Sequence, residues 1–453
     1  MREMKDSGIP WIGEIPSDWK ILRLKQLLAN GKDAIKVGPF GSQLSGSDFT
    51  NDGFWVYNQQ TVINHDFSKN DTFINHEKFN AMKSFQVRAS DILITTRGTI
   101  GKICRIPKNF HEGIIHPCII KFRIDDTKIL YNIIEMLFNN SDLVKNQLNY
   151  MSNATTIDVI YSSTLKNIYI PVAPIKVQRR IADYLDTKCA RIDSIRKNVE
   201  AEIEALKQYK KSVITEAVTK GLNKNVEMKD SGIPWIGEIP KNWKTGKIKY
   251  IADYSLNYPI GDGDHGLIKS SDYQIEGIPY IRVLNLTWGF GLDLTNIVYI
   301  SEKQNRSIQG SQLKPDDILI AKTGATIGKT AIVPATLPIS NTTSHVGKIS
   351  VSKEHCAMYF YYQMNSSIVQ KQVYDISSMQ STRPELGIEG LKNLAIVIPP
   401  KLEQEKISAY IQDEVIRINL IIKQKKGVLT NLDSYKKSLI YEYVTGKKEV
   451  PTV

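Results

Sequence analysis

The string MKDSGIPWIGEIP at Met4–Pro16 recurs letter for letter at Met228–Pro240, and each copy is followed by a Trp-Lys pair, Trp19-Lys20 and Trp243-Lys244. An internal repeat fixes architecture before any local assignment is made, because two copies of one frame must fold alike. Further echoes extend it. DILITTRGTIGK from Asp91 matches DILIAKTGATIGK from Asp317, LKNIYIPVAP from Leu165 matches LKNLAIVIPP from Leu391, and Tyr209-Lys210-Lys211-Ser212 matches Tyr435-Lys436-Lys437-Ser438. Between these markers the halves diverge: 21–90 differs from 245–316, and 108–150 from 335–376. A kept frame with divergent inserts implies one scaffold presenting two different reading surfaces.

Each half is large enough to bury a core. With 42% apolar and 23% charged residues the 453-residue chain has ordinary globular usage. No apolar run approaches the roughly 20 residues that span a bilayer, and the N-terminus has no signal-peptide core, so a soluble cytoplasmic protein is expected. Cys104, Cys118, Cys189 and Cys356 form no CxxC pair and read as small buried hydrophobes. The net charge of +12 favours a polyanionic partner.

After Pro174 about 45 residues run without Pro or Gly, with Leu185, Ile192, Val199, Leu206 and Val213 at heptad spacing and Ile181, Ile195, Ile203, Tyr209 and Ala217 between them. This predicts one long helix, Gln178 to Lys220, about 65 Å in length and ended by Gly221. The second copy gives Ile411, Ile418, Leu432 and Leu439 with Ile407, Ile421, Val428 and Tyr435, but Lys425 falls in the seam and Gly427 inside the helix, which predicts a local break. A helix with an exposed apolar stripe needs a partner. The two are expected to pair antiparallel within the chain. Residues 176–220 hold 11 Lys and Arg against 7 Asp and Glu, and 401–448 hold 10 against 6, so the helices supply eight of the twelve excess charges. Any polyanion-facing surface elsewhere must then be a local patch.

The intervening segments read as mixed α/β. Strands are expected at 54–57, 92–94, 114–115, 280–283, 318–320 and 331–333, with short helices at Lys128–Asn139 and Lys353–Asn365. The motifs suggestive of an enzyme lack their context. Gly324-Ala325-Thr326-Ile327-Gly328-Lys329-Thr330 is one residue short of a phosphate-binding loop and runs into a strand, so a Gly-turned hairpin is expected there and at Gly98–Lys102. Gly261, Gly263 and Gly266 fit GxGxxG without a strand-to-helix unit. The seven His form no ligand pair, so no metal is expected.

Side chains suited to base edges and phosphates gather in the divergent loops: Lys36, Ser42, Gln43, Asn58, Gln59, Gln60, Thr96, Arg97, Thr99, Lys102, Asn153, Thr155 and Thr156 in the first half. In the second half they are His265, Lys269, Arg282, Asn285, Lys322, Thr323, Asn341, Thr342, Gln380, Ser381, Thr382 and Arg383. Asn, Gln and Arg can contact bases bidentately, while Ser, Thr and Lys serve phosphates. Polar loops are common, so what lifts these above background is recurrence at matched places, such as 152–156 against 378–382.

The doubled DSGIPWIGEIP with its Trp, the DILI hairpin, the LKN segments, Pro399-Pro400-Lys401-Leu402-Glu403-Gln404 and the long helix ending in Tyr-Lys-Lys-Ser together resemble the specificity subunit of type I restriction–modification systems. The first copy departs from that pattern at Ala173-Pro174-Ile175-Lys176-Val177-Gln178, where an altered helix entry is expected. The resemblance implies an α+β fold: two mixed α/β target-recognition domains separated by two long antiparallel helices in an intramolecular coiled coil with a pseudo-two-fold repeat. It places these parts at 1–174, 175–222, 223–398 and 399–453. It implies a non-catalytic subunit without cofactor or metal of its own, each domain reading half of a split double-stranded DNA target. The helices would set the gap and dock two modification (methyltransferase) subunits, which use S-adenosylmethionine. Restriction subunits using ATP and Mg would complete the assembly, and no membrane is involved. A coiled-coil scaffold that does not read DNA is the alternative, and a nucleotidase is a weaker one.

Overall fold

The computed structural model describes residues 2–31, 33–40, 42–152, 159–263, 265–288, 291–378 and 384–451. Contacts divide the chain into two units, Met1–Val199 with Lys426–Val453, and Glu200–Lys425, so the division falls inside both long helices.

The first unit opens with the repeated string folded as a hairpin, Met4–Asp6 against Glu14–Pro16. Lys20–Arg23 then pairs antiparallel with Tyr169–Val172, closing the domain's ends on each other. Between them lie two sheets. One is antiparallel in the order Ile35–Val37, Ile119–Phe122, Ile92–Thr95, Ile103–Arg105. The other has the order Gly113–Ile115, Phe54–Tyr57, Phe73–Ile74, Phe49–Thr50, with its first pair parallel. Ile92–Thr95 and Ile119–Phe122 are buried along their whole length, which is why the run Ile92-Leu93-Ile94 shows no alternation, although Ile119–Phe122 buries Lys121 among its apolar side chains.

The second unit repeats this plan, with shared sequence at the markers and unlike sequence between them. The hairpin is Met228–Asp230 with Glu238–Pro240, and the closing pair is Lys244–Lys247 with Ala395–Ile398. Its larger sheet runs Ile260–Asp262, Val346–Ile349, Ile318–Ala321, Thr330–Ile332, and its smaller one Val298–Ile300, Ile278–Ile281, Asn341–Thr342, again with one parallel pair. The Gly-rich strings turn hairpins as expected, with positive φ at Gly98, Gly101, Gly324 and Gly328. Gly263 of the GxGxxG match is needed for close approach instead, since a Cβ there would lie 2.1 Å from the Thr342 carbonyl oxygen. The expected helix at 128–139 is shorter, Tyr131–Glu135, and passes into a π turn at Met136–Asn140; that at 353–365 is Ala357–Met364.

The long helices are Ile175–Lys220 and Lys401–Val444, each starting directly after proline and each followed by a glycine with φ +73°, Gly221 and Gly446. The expected break at Gly427 does not occur. Lys425 meets Glu202 at 2.5 Å across the seam, and one helical glycine costs only about 1 kcal/mol, which pairing on both sides of it offsets. Within the first unit Asp193 takes Lys436 at 2.7 Å, Arg196 takes Asp433 at 3.4 Å, and the Tyr184 and Tyr443 rings meet tilted, with centroids 4.8 Å apart. Within the second, Lys210 donates to Asn419 at 3.0 Å. Numbers rise along one helix as they fall along the other, so the pairing is antiparallel in both units. Four residues of the predicted seam are corrected: Ile195, Tyr209, Val428 and Tyr435 are exposed, and Val415 and Ile422 are buried instead. The cause is a period of alternating three and four residues, which the heptad row at 411 and 418 continues through 415 and 422.

The helix entries are alike after all at their buried glutamines. Gln178 accepts from Leu130 N at 2.9 Å and donates to the carbonyls of Lys128 and Ala173 at 2.9 and 2.7 Å. Gln404 accepts from Cys356 N and donates to the Pro399 carbonyl, both at 2.8 Å. The departure in the first copy lies one residue earlier: Trp243 Nε1 donates to Glu403 at 2.9 Å, whereas Val177 stands at the equivalent place beside Trp19, whose Nε1 is buried without an acceptor among the described residues.

Candidate nucleic-acid interface

In the first unit the tip of the hairpin between Ile92–Thr95 and Ile103–Arg105 carries Arg97 and Thr99 outward, while Thr95 Oγ1 donates to the Thr99 carbonyl oxygen at 2.6 Å and holds the turn. Gln59, half-buried at the start of helix Gln59–Asn64, brings its Oε1 beside Gly98, and Gln60 is exposed. Ser42 and Gln43 are exposed on the loop after Ile35–Val37, with Gln43 Oε1 accepting from Phe40 N at 3.0 Å. In the second unit His265 and Lys269 are exposed; His265 Nε2 lies 3.1 Å from Asp262, and a φ of +47° turns its side chain out. Arg97, Thr99, Gln60, Ser42 and Gln43 are thus presented to solvent in the first unit, and His265 and Lys269 in the second.

Six others are half-buried with internal ties. Lys36 lies 4.9 Å over the Phe85 ring. Asn58 caps its helix through Gln60 N and Thr61 N, and its amide reaches Asp71, so it shapes the turn and does not offer an edge to a base. Lys102 donates to the Asn139 carbonyl at 2.8 Å. Arg282 donates to the Asn296 carbonyl at 2.7 Å and covers Tyr273, and Thr323 bonds His345 at 2.9 Å. Gln59 completes the set.

The structure corrects the reading of five residues. Thr96, Asn285, Lys322, Asn341 and Thr342 are buried. Lys322 is paired with Asp262, Asn285 donates to the Asp293 carbonyl at 2.9 Å, Asn341 to Asn305 at 2.8 Å, and Thr342 to the Ile281 carbonyl at 2.9 Å. Polar residues inside a domain satisfy its backbone, a need that sequence pattern alone does not separate from a need to meet bases. Asn153, Thr155, Thr156, Gln380, Ser381, Thr382 and Arg383 lie outside the described residues.

Sequence reasoning missed two exposed aromatics in glycine-containing loops: Phe40, 74% exposed and next to Ser42 and Gln43 in the chain, and Trp288, 61% exposed with Lys329 6.0 Å from its ring. A large ring in a glycine-bounded loop was the available signal. Among the described residues no group of three or more His, Cys, Asp or Glu is placed to hold a metal, and no helix is long and apolar enough to cross a membrane.

A duplicated α+β frame with paired long helices and two unlike exposed loop surfaces defines a two-headed recognition scaffold. A family described as "Type I restriction modification DNA specificity domain" matches the chain twice, over 16–205 and 240–431. The chain belongs to that family. It is 26% identical over 309 residues to the type I restriction enzyme EcoBI specificity subunit of Escherichia coli, a match covering 66% of this chain and 62% of that protein. It is 23% identical over 444 residues to the MjaVIII specificity subunit of Methanocaldococcus jannaschii, covering 96% and 94%. A solved chain from work on complex assembly and conformational transition of the type I R-M system shares the fold, with a TM-score of 0.69 at 16% identity, over 96% of this chain and 99% of the other.

Proposed function

We propose that this chain is the sequence-reading subunit of a type I restriction–modification complex, each unit reading one half of a bipartite double-stranded DNA target. The observation that carries the proposal is the repeat itself: one fold built twice, with Arg97, Thr99, Gln60, Ser42 and Gln43 exposed on one copy and His265 and Lys269 on the other. Unlike loops on like frames read unlike half-sites, with amide and guanidinium groups at base edges and hydroxyls and lysines at phosphates. The chain supplies specificity. Methylation with S-adenosylmethionine, and ATP- and Mg-dependent restriction, belong to the subunits it assembles.

The paired helices serve two ends in this reading. Their length fixes the uncontacted gap between half-sites, and their outer faces dock two modification subunits. The second role is supported by exposed apolar side chains off the seam: Ile195, Val428 and Tyr435 in the first unit, and Tyr209, Ile416 and Leu420 in the second. A scaffold that ignores DNA is set aside, since the family covering both halves is one of DNA specificity.

Co-expression with the cognate modification subunits, followed by mapping of methylated bases, tests the proposal. The map should show a split motif with two different halves. Arg97→Ala should relax one half-site by about 1–3 kcal/mol, roughly ten- to a hundredfold in preference, and leave the other half unchanged. Methylation without a split motif, or equal loss at both halves, would contradict it.

A further inference from the structure

Within the first unit a cavity of about 340 Å³ opens beneath the Gly98–Lys102 turn, between the π turn at Met136–Asn140, helix Leu143–Ser152 and the second long helix. Three lysines line it, Lys102, Lys145 and Lys437, against one carboxylate, Asp142, 3.7 Å from Lys437. Lys102 is anchored to the Asn139 carbonyl, and Asn139 is itself fixed by two bonds to the Ile103 backbone at 2.9 and 2.8 Å, so the ammonium is held at the wall. Burial, then the neighbouring charges of Lys437 and Lys145, holds the Lys102 ammonium below the usual lysine range. Gathering like charges is unfavourable unless an anion joins them.

The second unit is a built-in control. There the equivalent helix, Ser367–Ser378, carries Gln370 where the first carries Lys145; the alignment is fixed two residues on, where Gln147 and Gln372 each bond both backbone groups of a strand residue, Tyr169 and Ala395. Gln370 reaches under the turn and donates to the Gly328 carbonyl at 2.8 Å. An uncharged amide therefore satisfies the frame at that place: Lys102 and Lys437 have repeat counterparts in Lys329 and Lys211, and Lys145 is the cation added in the first copy.

We propose that this cavity binds a phosphate group, held by Lys102, Lys145 and Lys437. The group belongs either to the DNA backbone passing beside the Arg97–Thr99 tip or to a free phosphate-bearing ligand. Only the first source rests on the DNA-reading function proposed above.

The test uses the full chain and Lys145→Gln, which imports the second copy's own residue, with Lys437→Gln as a second variant that leaves the Lys102–Asn139 tie in place. Both should unfold at the wild-type temperature. Calorimetric titration with inorganic phosphate reads the site directly, with dissociation constants raised about tenfold or more in each variant. Binding to a random duplex is then followed against salt; if the backbone supplies the phosphate, the slope of log K against log salt falls by about one per lysine removed, with the methylated motif unchanged. Loss of phosphate binding with an unchanged slope assigns the site to a free ligand. Wild-type phosphate affinity together with a wild-type salt slope in both variants overturns the proposal, whereas a missing split motif would bear on the DNA-reading function and leave the phosphate titration standing.

Discussion

Asp91→Ala should destabilise the first unit by about 3–5 kcal/mol, enough to lower its unfolding midpoint visibly and to speed amide exchange throughout its larger sheet. Asp91 stands at the mouth of strand Ile92–Thr95, 1% exposed, and accepts from both Lys121 at 3.3 Å and Arg123. Lys121 lies in the middle of the neighbouring strand, also buried, where desolvation already holds its ammonium below the ordinary lysine range. Removing the carboxylate leaves that cation without a counter-charge. The second copy keeps the Asp and the Lys but not the contact: Asp317 accepts from Ser350 Oγ at 2.6 Å and Lys314 N at 2.9 Å, and Lys348 donates to the Gln312 carbonyl at 2.6 Å. Burial pushes the Asp317 carboxyl above the usual carboxylate range. A carboxyl raised on folding makes the native state bind the proton more tightly, so its contribution favours folding at acid pH and opposes it as pH rises through that value. Asp317→Ala should therefore cost less, about 1–3 kcal/mol, because the penalty of two orphaned donors is partly offset by removing a carboxyl that burial disfavours. Equal losses in the two variants, read by hydrogen exchange in each unit, would show that the Asp91 ion pair adds nothing.

Gln178→Leu should cost about 3 kcal/mol or more in the first unit, although the side chain keeps its bulk. The amide satisfies one buried N–H and two buried carbonyls where the chain turns from strand Tyr169–Val172 into the long helix, and each orphaned group costs about 1–3 kcal/mol. Gln404→Leu should have the corresponding effect on the second unit, through Cys356 and Pro399. Urea denaturation of both variants checks this; losses below 1 kcal/mol would mean that water replaces the amide and that the glutamine is not what fixes the helix entry.

Much of this architecture was legible because it was written twice. The duplicated frame, the DILI strands with their Gly-turned hairpins and the start and end of the first long helix follow from repetition and from local rules of period and capping, and the structure places them accordingly. What the sequence concealed depends on neighbours distant along the chain. Lys425 looked like a flaw in the seam because Glu202 lies more than two hundred residues away. Asn285, Lys322 and Asn341 looked like base readers because a buried polar side chain and an exposed one are spelled alike. The nearness of Lys145 and Lys437 to the turn at Gly98–Lys102 was hidden because only tertiary folding brings them there. The residues that survive as candidates, Arg97 and Thr99 among them, are those at a hairpin tip, where local pattern and exposure coincide.

The most direct measurement is a methylation map from cells carrying a chain lengthened by one heptad in both helices, after Val199 and after Lys425. Near Thr215–Lys220, by contrast, Thr215 bonds Ser367 and the Val218 carbonyl accepts from Tyr359, so residues added there would disturb the second unit itself. Seven residues at 1.5 Å each add about 10 Å, or about three base pairs at 3.4 Å, while keeping the seam in phase. Two unchanged half-sites separated by about three more base pairs are the predicted result; altered half-sites at an unchanged spacing would contradict the assignment of reading to the loops and spacing to the helices.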